Sequence, residues 1–187
     1  MDKTYFACVY GGANEKISDS IKDEIHKLGN IIAHGGFSLV YGAGSTGSMG
    51  AVARGTREKG GFIKGVVPHF IKNKFESTFD CDEIIMVDDM AERKLIMEKE
   101  ADIFFIAPGG IGTFDEFFQI LTLKYLEQIT TPIVILNLEG FYDSLLSFID
   151  DNIKKGASSE NIKTLFDVVT SADDVRITNY LNVIKEQ

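Results

Sequence analysis

Short apolar runs alternate along this chain with longer stretches whose apolar residues recur at helical spacing, and that alternation leaves few folds open to it. Residues 4–10, 37–41, 62–67, 83–87, 102–107, 132–136 and 165–169 have strand length and are rich in β-branched and aromatic side chains. Residues 18–33, 48–59, 90–101, 117–123, 142–155 and 172–185 read as helices, the first stopped by Gly35-Gly36. Strands apolar on both faces and separated by helices predict a parallel sheet covered on both sides. The expected fold class is therefore α/β, a single Rossmann-like, doubly wound parallel sheet with helices on both faces. With 187 residues, 44% hydrophobic and 25% charged, the chain is long enough for one well-buried domain, 1–187, and short for two. The 68–82 span reads as irregular, and Gly156-Ala157-Ser158-Ser159 as a loop.

Ligands of such sheets bind beyond the carboxyl ends of the strands, where Gly11-Gly12, Gly42-Ala43-Gly44 and the glycines from Gly109 to Gly112 all fall. The densest of these turns is Pro108-Gly109-Gly110-Ile111-Gly112-Thr113-Phe114-Asp115-Glu116. Glycine lets the backbone approach an anion closely, and the unpaired N–H groups at a helix start favour negative charge, so a phosphate suits this turn. The same residues also spell a capping box, with Thr113 as the cap and Glu116 bonding back to it. Asp115 beside Glu116 places acid where a sugar would lie if phosphate occupied the turn.

A second segment, Met90-Ala91-Glu92-Arg93-Lys94-Leu95-Ile96-Met97, opens a helix after Asp88-Asp89. Arg93 and Lys94 lie in its first turn, where basic groups oppose the helix dipole at a cost of roughly a few tenths of a kcal/mol. An anionic ligand accounts for that cost; a surface pairing with Asp89 or Glu98 is the alternative.

Several function classes fall away. A formal net charge of −9 argues against binding a nucleic acid polymer, which needs clustered Lys and Arg, so the phosphate recognised is a small one. Cys8 and Cys81 have no paired metal spacing, and Cys8 reads as a core residue. His26, His34 and His69 lack mutual metal spacing as well, so no metal and no cofactor is expected. Gly42-Ala43-Gly44-Ser45-Thr46-Gly47 matches a dinucleotide pattern, but it follows the second strand and no acid follows the third. That match fails for NAD and leaves Gly44 and Ser45 as ligand contacts or close packing. The beginning of the chain lacks a signal-type pattern and no run approaches about 18 apolar residues, so a soluble, cytoplasmic protein without membrane contact is expected. Phe117, Phe118, Phe141 and Phe148 read as core or subunit contact.

Tyr41-Gly42-Ala43-Gly44-Ser45-Thr46-Gly47-Ser48-Met49-Gly50, then Met90-Ala91-Glu92-Arg93-Lys94, then the Pro108 to Glu116 motif resemble the three motifs of the LOG family, and Asn137-Leu138-Glu139-Gly140-Phe141-Tyr142-Asp143 is similar too. Members of that family are cytokinin riboside 5′-monophosphate phosphoribohydrolases, formerly labelled lysine decarboxylases. The resemblance implies a small-molecule nucleoside monophosphate as substrate, hydrolysed to free base and ribose 5-phosphate. It places Arg93 and Glu116 at the catalytic positions, with Lys94, Gly109, Gly110, Gly112, Thr113, Asp115 and Thr122 contacting the nucleotide. With the aromatic helix around Phe117 and Phe118, it also implies a homodimer or larger homo-oligomer. A molybdenum-cofactor carrier or nucleotide-binding protein of the same fold is the non-catalytic alternative. Two departures bear on base preference and phosphate affinity: Tyr10-Gly11-Gly12-Ala13 where the family carries Cys-Gly-Ser-Ser, and Thr122-Leu123-Lys124-Tyr125 where it carries Thr-Trp-x-Gln.

Overall fold

The computed structural model describes residues 3–74 and 78–186. Its strands are β1 (Tyr5–Tyr10), β2 (Phe37–Tyr41), β3 (Ile63–Pro68), β4 (Glu83–Val87), β5 (Ile103–Ile106), β6 (Ile133–Leu136) and β7 (Asp167–Val169). All pair in parallel in one sheet of order β4-β3-β2-β1-β5-β6-β7. The helices are α1 (Asp19–His34), α2 (Gly47–Glu58), α3 (His69–Lys74), α4 (Met90–Glu100), α5 (Ile111–Tyr125), α6 (Asp143–Lys154) and α7 (Val175–Lys185). The doubly wound α/β expectation is met, and most element ends fall within one or two residues of their sequence-based positions. Two spans differ. The segment expected to be irregular opens with α3, while its residues 75–77 lie outside the described residues. The last strand starts at Asp167 rather than 165, because Glu160–Thr164 winds into a 3-10 turn.

Side-chain alternation along β1 explains the two-layer core. Ala7 and Val9 point to the face covered by α1, α2 and α7, whereas Phe6, Cys8 and Tyr10 point to the face covered by α4, α5 and α6. Phe104 and Phe105, neighbours in β5, are both fully buried, one on each face. Each contributes about 1.5–3 kcal/mol of burial, so a register slip in β5 would move large side chains to the wrong layer. No helix among the described residues is long and apolar enough to cross a membrane.

The chain leaves β1 toward β2 on one side, and β5 later takes the other side of β1. Connections diverge there, so a crevice opens beyond the carboxyl ends of β1, β2 and β5.

Candidate active site

The three glycine turns that follow β2, β1 and β5 are tied to one another at this crevice. The Gly12 amide donates to Pro108 O at 3.2 Å, and Met49 N donates to Gly12 O at 3.2 Å. Ser48 Oγ donates to Pro108 O at 2.5 Å, and Thr46 Oγ1 to Ala13 O at 2.7 Å. The turns therefore form one rim, fixed through backbone carbonyls that would otherwise be unpaired.

Helix α5 starts on this rim without a side-chain cap: Gly110 is its N-cap residue, and the first helical bond runs from Phe114 N to Gly110 O at 3.1 Å. The capping-box alternative is thereby overturned. Thr113 is the third residue of the helix, only 3% exposed, and Glu116 turns inward at 6%. The amides of Ile111, Gly112 and Thr113 precede the first helical bond, and the space beside Gly110 and Gly112 is open to 4 Å. A helix start with uncapped donors and open space has the geometry to receive an anion.

Helix α4 brings the cation. Asp89 caps it, accepting from Ala91 N and Glu92 N at 2.9 Å each, and Glu92 returns a bond to Asp88 N at 2.9 Å. With these acids satisfying the helix start, Arg93 faces inward at 8% exposure, and its Nη2 lies 3.8 Å from Glu116 Oε1. Arg93 Nε finds no hydrogen-bond partner among the described residues. Its guanidinium lies directly over Gly42, where any Cβ would overlap Nη2. Burial pushes the Glu116 carboxyl up to about 7, Arg93 pulls it down, and Asp115 adds to the upward push. Burial wins because the guanidinium stands too far away to hydrogen-bond the carboxylate. Such a group changes charge near neutral pH, as a general base or acid requires.

Lys94 pairs with Asp115 at 2.9 Å, joining α4 to α5, rather than with Asp89 or Glu98; Glu98 instead bonds Gln119. A cleft of about 500 Å³ runs from Arg93 along Gly42, Gly44, Met49, Val67 and Ile71, with Asn14, Thr46 and Thr78 as its other polar lining. A second, of about 330 Å³, lies against Gly109 and Gly110, with Asn14, Lys16 and Phe141 on its walls. A cleft of about 570 Å³ at the opposite end of the sheet, between His34 and Lys185, is lined by no acid and holds no comparable pair.

Arg93, Lys94, Gly109, Gly110, Gly112, Thr113, Asp115 and Glu116 are thus gathered at the tips of β5, α4 and α5. Gly44 shares the larger cleft with Arg93, and Ser45 follows it in the turn, its carbonyl accepting from Arg54 Nη1 at 3.1 Å. Thr122 is not brought to this place. It lines a separate groove with Phe118, Tyr125 and Phe148, its hydroxyl donating to Phe118 O at 2.7 Å. Sequence reasoning missed Gly42, Met49 and Tyr142. All three lie within motifs, but only the fold sets Gly42 beneath the Arg93 guanidinium, Met49 beside Gly42 and Gly44, and the Tyr142 hydroxyl on Ala107 O.

The chain matches the family described as possible lysine decarboxylase over residues 49–178. It is 37% identical over 148 residues to the cytokinin riboside 5′-monophosphate phosphoribohydrolase of Mycobacterium tuberculosis, covering 79% of each chain. To the Arabidopsis thaliana enzyme of that name, LOG2, it is 33% identical over 158 residues, covering 84% of this chain and 74% of the plant protein. Among solved structures, the molybdenum cofactor carrier protein of Chlamydomonas reinhardtii superposes with a TM-score of 0.72, covering 99% of this chain and 100% of the other, at 19% identity. At that identity the likeness is one of fold.

Proposed function

The chain belongs to the LOG family, and on that premise we propose that it hydrolyses the N-glycosidic bond of a purine nucleoside 5′-monophosphate, including N6-substituted, cytokinin-type ones. The products are free base and ribose 5-phosphate. One observation carries this reading: a buried acid with its pKa near neutrality faces a buried cation 3.8 Å away, beside an uncapped helix start.

Rupture of the C1′–N bond develops positive charge on the sugar and negative charge on the base. The Glu116 carboxylate stabilises the first and takes a proton from the water whose oxygen bonds to C1′. The departing base nitrogen takes up a proton from solvent, Glu116 returns its own to solvent afterwards, and Arg93, permanently cationic with a planar fork of donors, stabilises the base as it leaves. Phosphate at the amides of residues 111–113 holds the nucleotide so that remote binding contributes to the chemical step. Lys94 and Asp115 flank the sugar, and the apolar walls at Met49, Val67 and Ile71 accommodate the base with its substituent.

A carrier of the same fold has no need of a buried acid beside a cation, which favours the enzyme. The unit is proposed to be a homodimer or larger, working in the cytoplasm on small molecules. Incubation with a panel of nucleoside monophosphates, followed by chromatography for free base, tests the reading; no base released from any of them would refute it.

A further inference from the structure

We propose that Tyr142 is a positioning residue for the phosphate turn, its buried hydroxyl holding the carbonyl of Ala107, and with it the 108–112 segment, in place. The inference rests on the reading above only for the identity of the anion.

The Tyr142 hydroxyl donates to Ala107 O at 2.7 Å, and the side chain is 1% exposed. The Gly109 backbone N–H faces the Tyr142 hydroxyl, so one phenol meets the chain on both sides of Pro108. Tyr142 is itself fixed from behind. Its amide donates to Asn137 Oδ1 at 2.7 Å, and Asn137 Nδ2 donates to Asp143 Oδ1 at 2.8 Å. Its ring meets Phe114, in the first turn of α5, edge-on at 6.1 Å between centroids. One side chain therefore touches the end of β5, the turn and the start of α5, the three pieces that aim the amides of residues 111–113.

This assigns a role to the Asn137-to-Asp143 motif, whose one contribution to the clefts is the Phe141 ring on the wall of the smaller one. A phenylalanine would fill the same volume and satisfy the core, so packing alone does not call for the hydroxyl. The hydroxyl matters because buried carbonyls are costly to leave unpaired and because charge-assisted bonds to an anion depend on donor direction.

The test uses the full chain and Tyr142→Phe, titrated calorimetrically with ribose 5-phosphate and separately with inorganic phosphate. The expected result is at least about tenfold weaker binding in the variant, the scale of one buried hydrogen bond. For AMP, the loss is expected to fall on KM more than on kcat. A residue that only stabilises the fold would lower the melting temperature and leave ribose 5-phosphate affinity unchanged, which would overturn the proposal. Failure of the unmodified protein to bind either anion would overturn it as well. Weakened anion binding in the variant, with no base released from any nucleotide by the unmodified protein, would retain the positioning role and discard the hydrolase. Should Tyr142→Phe not fold, hydrogen exchange on the unmodified protein decides. Ribose 5-phosphate is expected to protect the amides of residues 109–113 and of Tyr142 together, and protection of the turn without Tyr142 would contradict the proposal.

Discussion

Arg93 Nη2 stands 3.8 Å from Glu116 Oε1 inside the protein, near enough to attract the carboxylate and too far to hydrogen-bond it. The gap leaves Glu116 with a charge that the fold only partly compensates. Removing water raises its pKa more than the guanidinium lowers it.

This imbalance has a pH signature. The folded-state pKa of Glu116 is raised from 4.5 to about 7, so the native protein holds this proton more tightly than the unfolded chain. The stability it contributes is fully present below about pH 4.5 and is lost as pH rises to about 7, by up to roughly 3 kcal/mol. Urea unfolding at pH 5 and pH 8 measures it: the native chain is expected to lose more stability over that interval than Glu116→Gln. Equal losses would contradict a raised pKa, because every other titrating group is common to both proteins.

Gly42 and Arg93 are expected to act as one unit. A Cβ at Gly42 would overlap Arg93 Nη2, so Gly42→Ala displaces the guanidinium without deleting it. Both Gly42→Ala and Arg93→Ala should lower turnover of a nucleoside monophosphate by about 10²-fold, the scale of a lost electrostatic group, and the double variant should be little worse than either. Additive losses in steady-state kinetics would separate the two residues.

Gly112→Asp should move stability and binding in opposite directions. The position is open, and a carboxylate in the first turn of α5 favours the helix dipole by about 0.3–1 kcal/mol. The same carboxylate repels a phosphate at residues 111–113, so the melting temperature holds or rises while KM for AMP increases at least about tenfold. An unchanged KM would place the phosphate elsewhere.

The alternation of strands and helices was legible because a sheet covered on both faces demands apolar runs, and Arg93 was legible because a base at a helix start runs against the dipole. The capping box misled. Thr113 and Glu116 have the right spacing for it, but Gly110 takes the cap position and both side chains are drawn inward by the packing of α5. Lys94 and Asp115 find each other across two helices, and Tyr142 reaches Ala107 from 35 positions away, relationships that no local pattern encodes.

Assembly is a further expectation. Phe118, Tyr125 and Phe148 are 36%, 43% and 58% exposed around one groove between α5 and α6, which also holds Thr122. If the expected homodimer covers this groove, Thr122 belongs to the subunit boundary, and Phe148→Glu should convert dimer to monomer by sedimentation velocity. A concentration-independent monomer in the unmodified protein would contradict the expectation.

The most direct measurement compares AMP, an N6-substituted AMP and their nucleosides as substrates, with free base and ribose 5-phosphate quantified by chromatography. The monophosphates are expected to release base with kcat/KM orders of magnitude above the nucleosides, since several charge-assisted bonds at roughly 1.5–3 kcal/mol each hold the phosphate, although such contributions do not simply add. Glu116→Gln should lower that release at least about 10²-fold while the protein stays folded. Equal turnover of nucleoside and monophosphate, or undiminished turnover in Glu116→Gln, would contradict a phosphoribohydrolase built on Arg93, Glu116 and the glycine turn.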